Sequence, residues 1–340
     1  MGMESFVLQL HITGRCNCSC KHCYLDAEPS EMALSQIEGI LLQYKDLIAA
    51  LENQFGKKLR PFVNITGGEP FIHKDIYGVL DLMDRYSSTF SFRMMSNGLL
   101  LDDALLHRLQ SLRIPCLQLS LDGDAALHDQ VRGPGNFQAV CDSLHRLHQY
   151  GIATKVSFTA HSGNYQAFPR VAEACRACGV SSLWSDRYVP CGTASGLQPL
   201  TKAQTKEYVA LLQAEKNNPA NRTAGLQILN RRSLQFLASG EYPYSCSAGI
   251  RALAVDDKGD VYPCRRLAIR CGNVFSESLS HIYQNAPLLK QLRSAPVPEK
   301  CGSCPHAAFC RGGAKCLSYA LRADVTGKDP GCWLFDQEGV

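Results

Sequence analysis

The chain has 340 residues, of which 45% are hydrophobic and 19% charged, and its formal net charge is +4. This composition is typical of a globular protein with two domains, or with one large domain and an appendage. The charge is too small to indicate a nucleic-acid partner, and no apolar run reaches the roughly 18 residues that cross a bilayer. The 17 cysteines are odd in number, and the amino end lacks the features of a signal peptide. We therefore expect a cytoplasmic protein, with no membrane or nucleic-acid partner, whose cysteines bind metal rather than form a disulfide framework.

Apolar, strand-like runs alternate with amphipathic, helix-like segments through the first part of the chain. Strands are predicted at 6–13, 62–66, 90–96, 116–122, 153–160 and 182–189. Helices are predicted between them at 32–52, 76–86, 102–112, 137–150 and 167–179. Such a repeat predicts a parallel sheet with crossover helices, in which ligands bind at the carboxyl ends of the strands. The fold class is therefore α/β.

The pattern changes after the sixth strand. Two connecting helices are predicted, at 201–217 and 226–240, and the chain beyond is rich in cysteine. That last part contains a hairpin that turns at 257–259 and a helix at 279–294. We predict a barrel domain at 1–195, a connection at 196–241 and a cysteine-rich domain at 242–340.

A cysteine triplet follows the first predicted strand. Cys16, Cys20 and Cys23 have the spacing C-x3-C-x2-C. Three thiolates on one loop can ligate three irons of a [4Fe–4S] cluster and leave the fourth iron open to a small molecule. Zinc also accepts cysteine ligands, but structural zinc sites prefer four ligands and usually the C-x2-C spacing. The triplet alone leaves both interpretations open.

Short polar segments follow the next three predicted strands. They read NITGGEP at 64–70, SNG at 96–98 and SLDG at 120–123. Gly67 and Gly68 leave the backbone bare, so that a ligand can approach closely, while a simple glycine turn before a helix is the alternative. The Glu69 carboxylate suits an ammonium group. We expect all of these segments at one edge of the sheet, beside the cysteine triplet.

These motifs, together with HDQVRGPGNF at 128–137, resemble the radical S-adenosylmethionine (SAM) enzymes over nearly the whole chain. The resemblance implies a partial (β/α)6 TIM-like barrel and a [4Fe–4S] cluster on Cys16, Cys20 and Cys23. It implies that SAM chelates the open iron and is cleaved reductively to a 5′-deoxyadenosyl radical. The SAM-binding residues that it implies are Tyr24, Gly67, Gly68, Glu69, Ser96, Asn97, Ser120, Asp122, Arg132 and Arg187.

The cysteines near the carboxyl end resemble the SPASM extension, an α+β domain whose seven cysteines hold two auxiliary iron–sulfur clusters. The resemblance implies three [4Fe–4S] clusters in total. It assigns auxiliary cluster I to Cys246, Cys264 and Cys316. It assigns auxiliary cluster II to Cys301, Cys304, Cys310 and Cys332. A four-cysteine zinc knuckle at 301–316 is the alternative.

This part of the chain departs from the SPASM pattern in two ways. Five residues rather than three separate Cys310 from Cys316, and Ala314 stands where a cysteine is expected. No cysteine lies between Cys246 and Cys264, so cluster I lacks an evident fourth ligand. Three interpretations remain open for that position, namely Cys271, Asp256 and an iron left free for the substrate.

The resemblance implies oxidative modification of a ribosomally made peptide or protein, through a thioether or carbon–carbon crosslink. Expected partners are that substrate, a flavodoxin- or ferredoxin-type electron donor and, since the triplet begins at Cys16, a separate leader-binding protein. Oxidation or decarboxylation of a small molecule such as a porphyrinoid, and formylglycine formation on sulfatases, are alternatives. A non-catalytic iron–sulfur scaffold is a further one. Cys191 lies just beyond the sixth predicted strand and is a candidate to face the substrate.

Overall fold

The structure is a computed structural model that describes residues 4–25, 28–112, 114–192, 196–240 and 244–334. Its strands form a single sheet in the order β10-β9-β8-β1-β2-β3-β4-β5-β6-β7. The strands are β1 Glu4–His11, β2 Leu59–Thr66, β3 Ser91–Met95, β4 Leu117–Ser120, β5 Thr154–Ala160, β6 Ser182–Arg187, β7 Gln227–Leu229, β8 Ala252–Val255, β9 Asp260–Tyr262 and β10 Gly272–Asn273.

Helices connect and cover these strands. In the barrel they are α1 Leu34–Phe55, α2 Ile76–Arg85, α3 Asp103–Ser111, α4 Ala125–Arg132, α5 Asn136–Gln149 and α6 Phe168–Ala177. Those that follow are α7 Lys202–Asn217, α8 Pro219–Thr223, α9 Phe236–Ser239, α10 Leu279–Asn285, α11 Pro287–Ser294, α12 Ala307–Cys310 and α13 Lys315–Arg322. No helix in the described ranges is both long and apolar enough to span a bilayer.

The predicted strand–helix repeat is confirmed. Strands β1 to β6 are parallel, and each pairs with the next one in the chain. Helix α1 shows why the pattern folds this way, since Ile37, Ile40, Tyr44 and Leu47 recur at helical spacing and are all buried. The Tyr44 hydroxyl also donates to the backbone oxygen of Phe6 in β1, at 2.9 Å. The helices therefore cover the sheet through one continuous apolar core.

The cysteine-rich part extends the sheet of the barrel. Strand β8 pairs in parallel with β1, and β9 returns antiparallel to β8 as the predicted hairpin. At the hairpin turn, the Asp257 carboxylate accepts hydrogen bonds from the backbone nitrogen and the hydroxyl of Ser30, both at 2.7 Å. The hairpin is thus bound to the barrel through both backbone and side-chain contacts.

Three local predictions need correction. The predicted helix at 226–240 is instead the strand β7, paired with the edge of β6, followed by the short helix α9. The helix predicted at 279–294 is two helices that meet at Ala286, because Pro287 lacks the backbone N–H that a continuous helix needs. Helix α4 was not predicted, although Asp124 caps it by accepting from the Leu127 nitrogen.

Candidate functional site

The carboxyl ends of the barrel strands surround one cavity of about 1160 Å³, its open mouth included. The cysteine triplet lines it, which brings the first motif together with those from the next three strands. Of the predicted SAM-binding residues, the cavity is lined by Tyr24, Gly67, Gly68, Ser96, Asn97, Ser120, Arg132 and Arg187. Glu69 and Asp122 are fully buried behind its wall.

The glycine pair after β2 lies against the backbone of the cysteine loop. The Gly68 nitrogen donates to the Thr13 oxygen and the Glu69 nitrogen to the Arg15 oxygen, each at 2.8 Å. A Cβ on Gly67 would collide with the Thr13 oxygen, and one on Gly68 with the Arg15 oxygen. The sequence analysis predicted that the lack of side chains at Gly67 and Gly68 lets a ligand approach the backbone. In the structure, the lack of side chains also makes room for the cysteine loop.

The Glu69 carboxylate organises the segment that follows β3. It accepts hydrogen bonds from the Asn97 nitrogen at 2.7 Å, the Ser96 hydroxyl at 2.9 Å and the Phe71 nitrogen at 3.1 Å. Burial raises the pKa of Glu69 to about 7, although these donors favour the charged form. Since its oxygens face these donors, Glu69 holds Ser96 and Asn97 at the cavity, and we infer that it acts on a bound cofactor mainly through them.

Asp122 holds Arg132 at the cavity, as Glu69 holds Ser96 and Asn97. It accepts from Arg132 Nε at 2.6 Å and the Thr159 nitrogen at 2.8 Å, and lies 3.0 Å from His22 Nε2. Burial alone would raise the pKa of Asp122, but Arg132 and His22 hold it well below its usual range. Arg132 lines the cavity, with Nη1 4.0 Å from Cys20 Sγ and Nη2 3.3 Å from His22 Nε2. His22 is a site residue that the sequence analysis missed; its only signal was its place between two predicted ligands.

Two of the three cysteines in the triplet favour the thiolate form, whereas burial raises the pKa of the third, Cys23. A thiol hydrogen bond from Cys18 lowers the pKa of Cys16 and that of Cys20 to about 6, even though partial burial opposes this. The Asn97 amide nitrogen lies 3.9 Å from Cys16 Sγ and also lowers the pKa of that thiol. Thiolates are the form in which cysteine ligates metal, so the loop fits the predicted cluster.

Tyr24 and Ser120 line the cavity on either side of the loop. The Tyr24 hydroxyl lies 3.3 Å from Nε2 of the buried His11, and the Ser120 hydroxyl lies 3.1 Å from that of Ser157. Both side chains therefore have protein partners that fix their orientation at the cavity.

Arg187, which the sequence predicted to bind SAM, lines the cavity, but its guanidinium is bonded to the protein. Nη1 and Nη2 donate to the two oxygens of Asp329, at 2.8 and 2.5 Å, and both residues are buried. This bidentate pair occupies the face of the guanidinium that would bind a carboxylate. Arg187 thereby connects the end of β6 to the carboxyl-terminal part of the chain.

The cavity wall beside Arg187 carries more positive than negative charge. Arg266 pairs with Asp186 at 2.6 Å, and Arg232 approaches the same carboxylate at 3.9 Å. Among the described residues, Arg265 forms no ion pair; its Nη1 lies 3.6 Å from the sulfur of Met95, and its guanidinium carbon lies 6.0 Å from the centroid of the Tyr24 ring. An unpaired guanidinium in this wall favours a ligand with a negative group.

The carboxyl-terminal cysteines gather in two groups. One apolar pocket of about 350 Å³, lined also by Leu234 and Phe236, contains the four cysteines predicted for auxiliary cluster II, namely Cys301, Cys304, Cys310 and Cys332. Those predicted for cluster I, Cys246, Cys264 and Cys316, contact a separate apolar cluster. Cys316 is buried in the first turn of α13 and shares that cluster with Ala314, so the longer spacing still delivers a thiol there. Cysteine thiolates are the usual ligands of iron–sulfur clusters, so the donor chemistry of both groups fits the predicted clusters.

The buried Arg187–Asp329 pair should matter for stability. We expect Asp329→Asn to lower the free energy of unfolding by about 3 kcal/mol, because it leaves a buried guanidinium without its counter-charge. Thermal or urea unfolding of the reconstituted protein measures this. The control is Asp81→Asn, which breaks the exposed pair with Arg108 and should change stability little. Equal effects from both substitutions would contradict the assignment.

The glycine contact predicts a second outcome. Gly68→Ala should displace the cysteine loop and remove about four irons per chain after anaerobic reconstitution. Gly39→Ala, in the middle of α1 where nothing lies within 4 Å of the new methyl group, should leave the iron content unchanged and stabilise the helix by about 0.5–1 kcal/mol. Full iron incorporation in Gly68→Ala would refute this account.

Comparison with known proteins agrees with this geometry. The model of the Radical SAM superfamily matches residues 10–181, and the SPASM model, an iron–sulfur cluster-binding domain, matches residues 246–305. Mycofactocin maturase MftC of Mycobacterium ulcerans is 30% identical, over 96% of this chain and 87% of that protein. AdoMet-dependent heme synthase of Nitratidesulfovibrio vulgaris is 24% identical, over 94% of this chain and 90% of that protein.

A solved structure shares the fold. SuiB of Streptococcus suis bound to the precursor peptide SuiA matches with a TM-score of 0.75 and 18% identity, over 96% of this chain and 75% of that chain. The predicted barrel and carboxyl-terminal domain are thus confirmed as a known arrangement, and the iron–sulfur description of residues 246–305 favours clusters over a zinc knuckle. The chain belongs to the radical SAM superfamily and carries a SPASM iron–sulfur cluster-binding domain.

Proposed function

We propose that this radical SAM enzyme oxidatively modifies a ribosomally made peptide or protein, forming a crosslink such as a thioether or a carbon–carbon bond. The observation that carries the proposal is the shared cavity at the carboxyl ends of the strands. It joins the cysteine triplet, the SAM-side motifs and an arginine wall made of Arg187, Arg265 and Arg266, of which the last two follow β9. A substrate in this cavity would contact both parts of the chain at once.

The residues at the cavity would have distinct roles in binding the cluster and positioning SAM. Cys16, Cys20 and Cys23 ligate the first cluster, and Arg132 offers donors to the carboxylate of SAM. The cluster and SAM, when bound, supply a 5′-deoxyadenosyl radical that removes a hydrogen atom from an unactivated carbon. The remaining contacts position the cofactor: Tyr24 near the adenine, the Gly67–Gly68 backbone near the amino group, and Ser96, Asn97 and Ser120 near the ribose. Glu69 and Asp122 hold these groups in place from behind.

The peptide substrate is supported by the relatives. The maturase MftC is more similar to this chain than the heme synthase is, at 30% against 24% identity. The heme synthase favours one second candidate, a porphyrinoid or similar small molecule. The unpaired Arg265 suits both, because each substrate class can present a carboxylate to the cavity.

The proposal extends to partners and location. Reduction of a low-potential cluster needs an electron donor, for which a flavodoxin- or ferredoxin-type protein is suitable. We also propose a separate leader-binding protein for the peptide substrate. A reducing compartment such as the cytoplasm would keep the cysteine ligands reduced and free of disulfides.

The radical chemistry is tested by one assay. The protein is reconstituted anaerobically with iron and sulfide, reduced with dithionite and mixed with SAM, and 5′-deoxyadenosine is quantified by chromatography. We expect product from the native chain and none above background after alanine replaces all three of Cys16, Cys20 and Cys23. Cys116→Ala, at a partly buried cysteine outside the cavity, should retain activity. Equal product from the triple variant and the native chain would overturn the proposal.

The substrate class is tested with the same preparation. Peptides encoded beside this chain's gene are incubated with enzyme, SAM and reductant and analysed by mass spectrometry, in parallel with porphyrinoid carboxylates. A peptide that loses two hydrogens and acquires a crosslink in tandem spectra supports the proposal. Turnover of the porphyrinoids alone favours the second candidate.

A further inference from the structure

Auxiliary cluster I lacks one evident ligand. Its three predicted cysteines, Cys246, Cys264 and Cys316, all contact one apolar cluster, which we name the second core. The second core consists of Val189, Ala248, Leu267, Leu292, Ala314, Cys316, Leu317 and Val325. A [4Fe–4S] cluster has four irons, so three thiolates leave one iron without a protein ligand. The structure discriminates among the candidates for that position.

Asp256 is committed to the hairpin turn. One carboxylate oxygen accepts from the Lys258 nitrogen at 3.0 Å and the Asp260 nitrogen at 2.8 Å, and the other lies 3.1 Å from the Tyr262 hydroxyl. These contacts close the turn between β8 and β9. If Asp256 ligated iron, at least one of these hydrogen bonds in the turn would be lost.

Cys271 belongs to a different part of the core. It packs against the main core of the barrel rather than the second core, and its thiol lies 3.6 Å from the backbone oxygen of Ile269, to which it donates. Its backbone nitrogen pairs with the Val261 oxygen at 2.7 Å, which fixes it beside β9. Cys271 is therefore not grouped with the three predicted ligands.

Cys191, in contrast, packs against the same apolar cluster as the three predicted ligands. It follows β6 and packs, half-buried, against the second core, to which Val189 of the same segment contributes a buried side chain. Cys246 and Cys264 are partly buried against the same cluster, and Cys316 belongs to it, so all four thiols adjoin one apolar region.

The backbone beside Cys191 is fixed by a close contact. Gly192 has a φ of 69°, and a Cβ at this position would collide with the Tyr24 carbonyl oxygen. A residue other than glycine would be strained here and would also push the segment away. The contact holds Cys191 between the cysteine loop and the segment of Cys264, on the wall of the main cavity.

We propose that Cys191 is the fourth protein ligand of auxiliary cluster I, together with Cys246, Cys264 and Cys316. This inference rests on the proposed iron–sulfur assignment of those three cysteines. This ligation would determine what the cluster can do. A cluster with four thiolate ligands lies at the cavity wall and can take part in electron transfer, but it has no open iron with which to bind a substrate thiolate.

The test uses a background in which alanine replaces Cys16, Cys20 and Cys23, so that only auxiliary clusters remain. Cys191→Ala and Cys191→Ser are compared with Cys271→Ala, whose thiol is similarly half-buried. Each protein is reconstituted anaerobically, analysed for iron and sulfide, reduced, and mixed with ¹³C-cyanide for electron–nuclear double resonance. Cyanide binds an iron that lacks a protein ligand, and its ¹³C coupling then appears in the spectrum.

We expect no ¹³C coupling in the background protein or in Cys271→Ala. We expect a coupling in the Cys191 variants, or the loss of about four irons per chain if cluster I does not assemble. The inference is overturned if the background protein already binds cyanide, or if Cys191→Ala matches it in both iron content and coupling. Absence of iron from the background protein itself would instead refute the auxiliary-cluster assignment, so the two failures are distinguishable.

Discussion

The site depends on the contact between two backbones, that of the cysteine loop and that of the glycine pair after β2. Two hydrogen bonds of 2.8 Å join them, and no side chain fits between them. Glu69, the next residue, then reaches across to the loop after β3 and holds Ser96 and Asn97. A glycine-to-alanine change would therefore move the cysteine loop relative to the groups around the cavity. The position of the first cluster relative to SAM follows from this contact.

The carboxyl-terminal part is attached to the barrel at both ends of the six-stranded array. At one end β8 continues the sheet beside β1, and Asp257 bonds to Ser30. At the other end Arg187, at the end of β6, is paired with Asp329. Attachment at two separated points restrains rotation of this part about either one. The arginine wall and the auxiliary cysteines are thus held in a fixed relation to the cavity.

The sequence predicted the architecture well because apolar periodicity and motif spacing are local signals. All six barrel strands and the cysteine motifs lie where the pattern indicated. The sequence could not reveal the partners of buried charges. Arg187 lines the cavity, but its partner Asp329 is 142 residues away in the chain and no local pattern pairs them. Strand β7 was missed for a related reason, since only the exposed edge of β6 makes that short segment a strand.

The charges around the second core bear on what auxiliary cluster I would do. The guanidiniums of Arg187, Arg265 and Arg266 line the cavity here; Arg187 is paired with Asp329, and both Arg266 and Arg232 approach Asp186. Although burial opposes it, the pKa of Arg266 is raised well above its ordinary value by Asp186 and by thiolates at Cys316 and Cys264. Reduction adds a negative charge to a cluster, and nearby cations stabilise that charge and raise the reduction potential. A cluster in this position would therefore accept an electron more readily than one without adjacent arginines, as an oxidative modification in the cavity requires.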